Sequence, residues 1–129
     1  MRRSLMVALL ALSALACKHG PALEDYGPAQ QPNGIAIEID LRTGPDIAGE
    51  LLAVEADALV VRSEERLLRV PVALIRTAEA KPMSARSAMT SAFLRRAKWH
   101  SRFPGGITPE IERALLEAYR QTAIITVGS

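Results

Sequence analysis

Between Ile35 and Ala80 the apolar residues fall into short runs separated by turn-forming residues, and that rhythm constrains the fold more than any other feature of the chain. Ile35, Ile37, Ile39 and Leu41 alternate with Ala36, Glu38, Asp40 and Arg42. This is the period of two expected of a strand with one buried and one wet face. Thr43-Gly44-Pro45-Asp46 supplies a turn, with glycine free in φ and proline held at about −65°. The next run, Ile47 to Val54, loses its alternation at Leu51-Leu52-Ala53-Val54. A continuous apolar run suits a strand that bends and is covered on both sides. Glu55-Ala56-Asp57-Ala58 leads into Leu59-Val60-Val61, and Ser63-Glu64-Glu65-Arg66 leads into Leu67-Leu68-Arg69-Val70. Pro71 lacks the N–H that a ladder needs, so the fourth strand is expected to end there. Val72 to Leu74 reads as one short helical turn, and Ile75 to Ala78 as a fifth strand. Five strands divided by turn chemistry predict a small antiparallel barrel over residues 35–80.

Three features of that stretch resemble the small barrels of the Sm-like family. They are a first strand ending in a glycine turn, a bent second strand opening at Gly49-Glu50-Leu51, and a Val70-Pro71 step with Ile75 beyond it. The resemblance implies the barrel but not the RNA binding for which part of that family is known. RNA-binding members carry an Asp-x-x-hydrophobic-Asn arrangement after the second strand and an Arg-Gly pair in the second motif. Here Asp57 is followed by Ala58, Leu59, Val60 and Val61, with no Asn and no Arg-Gly pair.

Ahead of the barrel the chain reads as an address. Met1-Arg2-Arg3-Ser4 precedes an almost wholly apolar stretch from Leu5 to Ala16, which is the make-up of a secretory signal peptide over residues 1–16. The apolar stretch is shorter than the roughly 20 residues a spanning helix needs. Ser13-Ala14-Leu15-Ala16-Cys17 resembles the bacterial lipobox, with small Ala16 just before the cysteine. The resemblance implies cleavage before Cys17 and lipid attachment at its thiol, with enough acyl chains for lasting anchorage. Cys17 is the only cysteine in the sequence, so no disulfide within the chain is possible. Lys18, at the position where Asp favours the inner membrane in such lipoproteins, points to the outer one. Residues 17–34 form the expected tether, rich in proline and glycine. A flexible chain of that length spans roughly 20–25 Å on average. His19 lies within it and is expected to be an exposed, unpaired histidine.

Removing residues 1–16 takes away Arg2 and Arg3 and leaves 14 basic against 14 acidic residues, so net charge identifies no partner. The distribution says more. Residues 24–79 are strongly acidic, whereas residues 81–102 carry Lys81, Arg86, Arg95, Arg96, Lys98 and Arg102 with no acid among them. After Lys81-Pro82 the period changes to that of a helix, expected to be capped by Ser84 and to run to about His100. Ala85, Ala88, Met89, Ala92, Phe93 and Ala97 supply its apolar face. Its charges either pair with the acidic barrel or, at Arg95, Arg96, Lys98 and Arg102, contact anionic headgroups or other envelope phosphates. Trp99 is expected to pack the helix onto the fold, with a membrane-interface anchor as the alternative. Nucleic acid is not an expected partner: there is one Trp and no interleaved aromatic ladder.

Gly105-Gly106 ends that helix, and Thr108-Pro109-Glu110 opens a second with cap, proline and acid in their usual places. Ile111, Ala114, Leu115, Ala118 and Tyr119 are its expected buried face, and Ala123 to Val127 reads as a last strand against a barrel edge. A barrel of this size alone is marginal, so residues 81–129 are expected to cap it within one domain. No His/Cys/Asp/Glu cluster has metal-ligand spacing, and the Ser101–His100 neighbours point to different faces of a helix. The chain therefore reads as α+β: a five-stranded antiparallel barrel, two packed helices and a short C-terminal strand. The expected role is that of a non-catalytic envelope lipoprotein without cofactor or metal. It would be tethered to the membrane through Cys17, meet an unknown envelope protein partner and remain monomeric.

Overall fold

The computed structural model describes residues 34–83 and 85–129. The expected signal peptide, Cys17, His19, nearly all of the tether and the Ser84 cap lie outside the described residues.

The strands follow the punctuation. β1 (Ala36–Leu41), β2 (Ile47–Val54), β3 (Ala58–Ser63) and β4 (Arg66–Pro71) are followed by a 3-10 turn (Val72–Leu74) and β5 (Ile75–Lys81). β4 stops at Pro71, as the missing N–H requires. The first turn is made by Gly44 at φ +99°. β2 bends at a bulge: Leu51 pairs with Val61 and Ala53 with Val60, so Leu52 is the extra residue. The bulge sends Leu51 to one face and Leu52 and Ala53 to the other, and all three are fully buried. That is the physical content of the unbroken apolar run.

The sheet has six strands in the order β5-β1-β2-β3-β4-β6, where β6 (Ile125–Thr126) runs parallel to β4. It is not a closed barrel. β4 and β5 stand four strand spacings apart in that order, roughly 19 Å if the sheet were flat. Yet they are joined by a three-residue 3-10 turn, whose rise is about 2 Å per residue. The sheet must therefore curl, and the end of β6 meets the far corner, where a Cβ on Gly128 would lie 2.7 Å from Leu74 Cδ1. Hydrogen-bonded closure fails because both edges are already occupied. Ser87 exchanges two backbone hydrogen bonds of 2.8 Å with Ala78 on β5, and β4 is taken by β6 together with Gln121. The Gln121 amide imitates a strand residue, accepting from Leu67 N–H at 2.7 Å and donating to Leu67 C=O at 3.2 Å. Gln121→Ala leaves both groups of Leu67 unpartnered and is expected to lower unfolding stability by about 2 kcal/mol, read from urea denaturation.

Two helices complete the fold, α1 (Ser91–His100) and α2 (Pro109–Tyr119). The expected start of α1 at Ser84 is corrected to Ser91, with Thr90 as the cap whose Oγ1 accepts from Phe93 N–H at 3.1 Å. The segment before it spends its backbone on the edge of β5, so Ala85, Ala88 and Met89 are not on a helix face. α2 starts as expected: Thr108 Oγ1 accepts from Ile111 N–H at 3.2 Å, Pro109 opens the first turn, and Glu110 and Glu112 lie at its positive end. The last strand is shorter than the expected Ala123 to Val127.

These elements enclose two cores back to back on the sheet. Ile35, Ile37, Ile39 and Leu41 join Leu51, Leu59, Val61, Val70, Ile75 and Ala78 on one face, covered by Phe93 and Ala97 of α1. Leu52, Ala53, Val60 and Leu67 form the other with Phe103, Ile111, Leu115 and Ile124. The helices thus enlarge the core as the sequence implies, each from its own side.

Candidate functional site

α1 is held by one apolar stripe. Phe93 and Ala97, four residues apart, are buried, and Leu94 packs beside them. The rest of the helix faces solvent, including Arg95, Arg96, Lys98 and Trp99. Trp99 is 61% exposed. The expectation that it packs the helix onto the fold is therefore corrected. It lies four residues from Arg95, on the side opposite the Phe93–Ala97 stripe, so burying it would require turning the helix away from its own core contacts.

Arg102 belongs elsewhere. Its Nη1 donates to Glu50 Oε1 at 3.1 Å, and both side chains keep only 11% of their exposure. Arg62 Nη2 stands 3.8 Å from the other carboxylate oxygen. Arg102 Nε is buried with no hydrogen-bond partner among the described residues. The group thus ties the end of α1 to β2 instead of facing outward. Nearby, burial holds the Tyr119 phenol above its usual pKa, an effect that the positive charge of Arg62 opposes.

The backbone fixes the same corner. Arg102 N–H donates to Leu51 C=O at 3.1 Å, and Leu51 N–H donates to Ile35 C=O at 2.9 Å. A Cβ placed on Gly34 would lie 3.3 Å from Arg102 Cβ and 3.1 Å from Glu50 Cγ. Gly34, the first described residue, therefore lies against Arg102, two residues past the C-terminal end of α1. No local pattern in the sequence signals this contact, which spans most of the domain.

The remaining basic residues divide into two sets. Arg86 reaches Glu38 and Glu79 at 3.6 Å each, and Lys81 lies 4.0 Å from Glu79. These, with Arg102, realise the pairing of basic segment with acidic sheet. Arg95, Arg96 and Lys98 form no ion pair among the described residues, and Arg96 Nη2 instead donates to Met83 C=O at 3.0 Å. Beside Arg96 is a shallow recess of about 160 Å³, lined by Met83, Ser87, Thr90, Ala92 and Phe93. On the far side of the sheet, Glu55 accepts from Arg69 Nε at 2.7 Å, and that bond holds the guanidinium above its ordinary pKa.

The buried Ser101 hydroxyl donates to Lys98 C=O at 2.7 Å and closes the helix end. Among the described residues no group of three or more His, Cys, Asp or Glu side chains is placed to hold a metal ion. No helix among them is long and apolar enough to cross a membrane. Neither a family model, a curated protein nor a solved structure matches this chain. What the geometry gathers is a corner where Gly34, the Glu50–Arg102 pair and the exposed end of α1 meet.

Proposed function

We propose that this chain is a non-catalytic, membrane-tethered interaction domain of a bacterial cell envelope, anchored through a lipidated Cys17 and presented to an envelope protein partner. One observation carries the reading: Gly34 joins the fold beside the end of α1. A tether running from Cys17 to Gly34 would pull on that corner and turn α1 toward the membrane, leaving the turns at the other end of the sheet free for a partner. The lipobox resemblance at Ser13 to Cys17 and the proline- and glycine-rich stretch after it support the anchor. Lys18 favours the outer membrane. The order of β1 to β5 and the short 3-10 turn between β4 and β5 support kinship with the small barrels of the Sm-like kind.

The test is labelled-palmitate incorporation with membrane fractionation, comparing the intact chain with Cys17→Ser. Label on the parent alone, with the variant released to the soluble fraction, is the expected result. Equal label on both, or on neither, would overturn the anchor.

A further inference from the structure

We propose that the outward face of α1 is a docking surface for anionic phospholipid headgroups, with Arg95, Arg96 and Lys98 as the cationic contacts and Trp99 as an interfacial anchor. The inference rests on the tethered reading for its setting, though its chemistry stands on α1 alone.

Four observations converge on this face. Trp99 is 61% exposed, one of two exposed large apolar side chains among the described residues. An indole left in water forgoes burial, whereas at a lipid–water boundary its ring sits among acyl carbons and its N–H finds headgroup oxygens. Arg95, four residues before Trp99, shares its face, and Lys98 and Arg96 flank the pair. None of these three cations has an acidic partner among the described residues, although the sheet's carboxylates do pair with Arg86 and Arg102. α1 itself contains no acid, so nothing on the helix opposes a negative surface. Finally, Arg102, three residues beyond Trp99, lies against Gly34, where a membrane tether would meet the fold. Charge complementarity and that position select a membrane surface over a protein groove. The charged helix sits on the headgroups and is too short and too polar to insert.

Trp99 is the only tryptophan in the sequence, so its emission reports this face and no other. The full chain bearing Cys17→Ser, which cannot be lipidated, is titrated with vesicles of pure phosphatidylcholine and of phosphatidylcholine mixed with phosphatidylglycerol. A blue shift is expected with the anionic vesicles, weak or absent with the zwitterionic ones, and reversed by salt. In Arg95→Glu/Lys98→Glu the same titration is expected to show vesicle partitioning reduced by about 25-fold or more, with far-UV circular dichroism unchanged because both side chains are exposed. The apolar stretch from Leu5 to Ala16 is common to both proteins, so it cannot produce a difference between them. An equal shift with both vesicle types, no shift with either, or undiminished binding by the variant would each overturn the proposal. Loss of palmitate labelling with a retained blue shift would remove the tether and leave the docking face. Labelling without a shift would do the reverse.

Discussion

Gly49→Ala is expected to cost about 3 kcal/mol or more, enough to leave much of the protein unfolded at 37 °C, as read from urea denaturation and circular dichroism. A Cβ on Gly49 would overlap the carbonyl oxygen of Arg62 and lie 2.9 Å from its carbon and 3.0 Å from Ser63 Cα. All three atoms are backbone, so no side-chain rotation relieves the contact. β2 would have to separate from β3, and their ladder carries Leu51, Val60 and Val61, which face both cores. Gly44→Ala provides the contrast. A Cβ there meets nothing within 4 Å, and only the positive φ opposes it, so the cost is expected to be about 1 kcal/mol. If Gly49→Ala were as stable as the parent, the close approach of β2 and β3 would be wrong.

The second large effect is expected at the Glu50–Arg102 pair. Arg102→Ala leaves a carboxylate with Arg62 at 3.8 Å as its one ion-pair partner among the described residues, and Glu50→Ala strands a largely buried guanidinium. Each is expected to lower stability by about 3 kcal/mol, because an uncompensated buried charge costs more than the pair contributes. The pair itself is imperfect, since Arg102 Nε has no partner among the described residues. Glu50→Leu combined with Arg102→Met is therefore expected to recover most of the loss, a non-additivity that a double-mutant cycle measures directly. Additive losses in the double variant would show that the two side chains act separately.

What the sequence reveals and what it hides follow from the range of the interactions. β1 to β5, the turn at Val72 to Leu74 and the start of α2 are set by neighbours in sequence, through alternation, Pro71 and the Thr108-Pro109-Glu110 cap, and all were legible. The start of α1 was not, because serine and threonine both cap helices and the segment between Ser84 and Thr90 is drawn onto the edge of β5 by the bridge between Ser87 and Ala78. Closure of the sheet failed as an expectation because its edges are filled by residues outside β1 to β5: Ser87, just past β5, on one edge, and Gln121 and Ile125, more than fifty residues from their partners, on the other. The exposure of Trp99 was legible in the spacing of the helix. Phe93 and Ala97 fix the phase of α1, and a residue two positions beyond Ala97 points outward. That phase overrides the general tendency of tryptophan to be buried. Arg102 lies past the helix end, where periodicity no longer says which way a side chain turns.

The bulge at Leu52 means that one short stretch of β2 is a wall common to both sides of the molecule. Leu51 faces the core under α1 and Leu52 and Ala53 face the core under α2, so the two cores share one stretch of backbone. The domain is therefore expected to open as a single unit, with the amides of Leu51, Val60 and Val61 exchanging with solvent at one slow rate and no separately melting half. Such indivisibility would let a push on α1 be felt at α2, because the two cores lie on one shared wall.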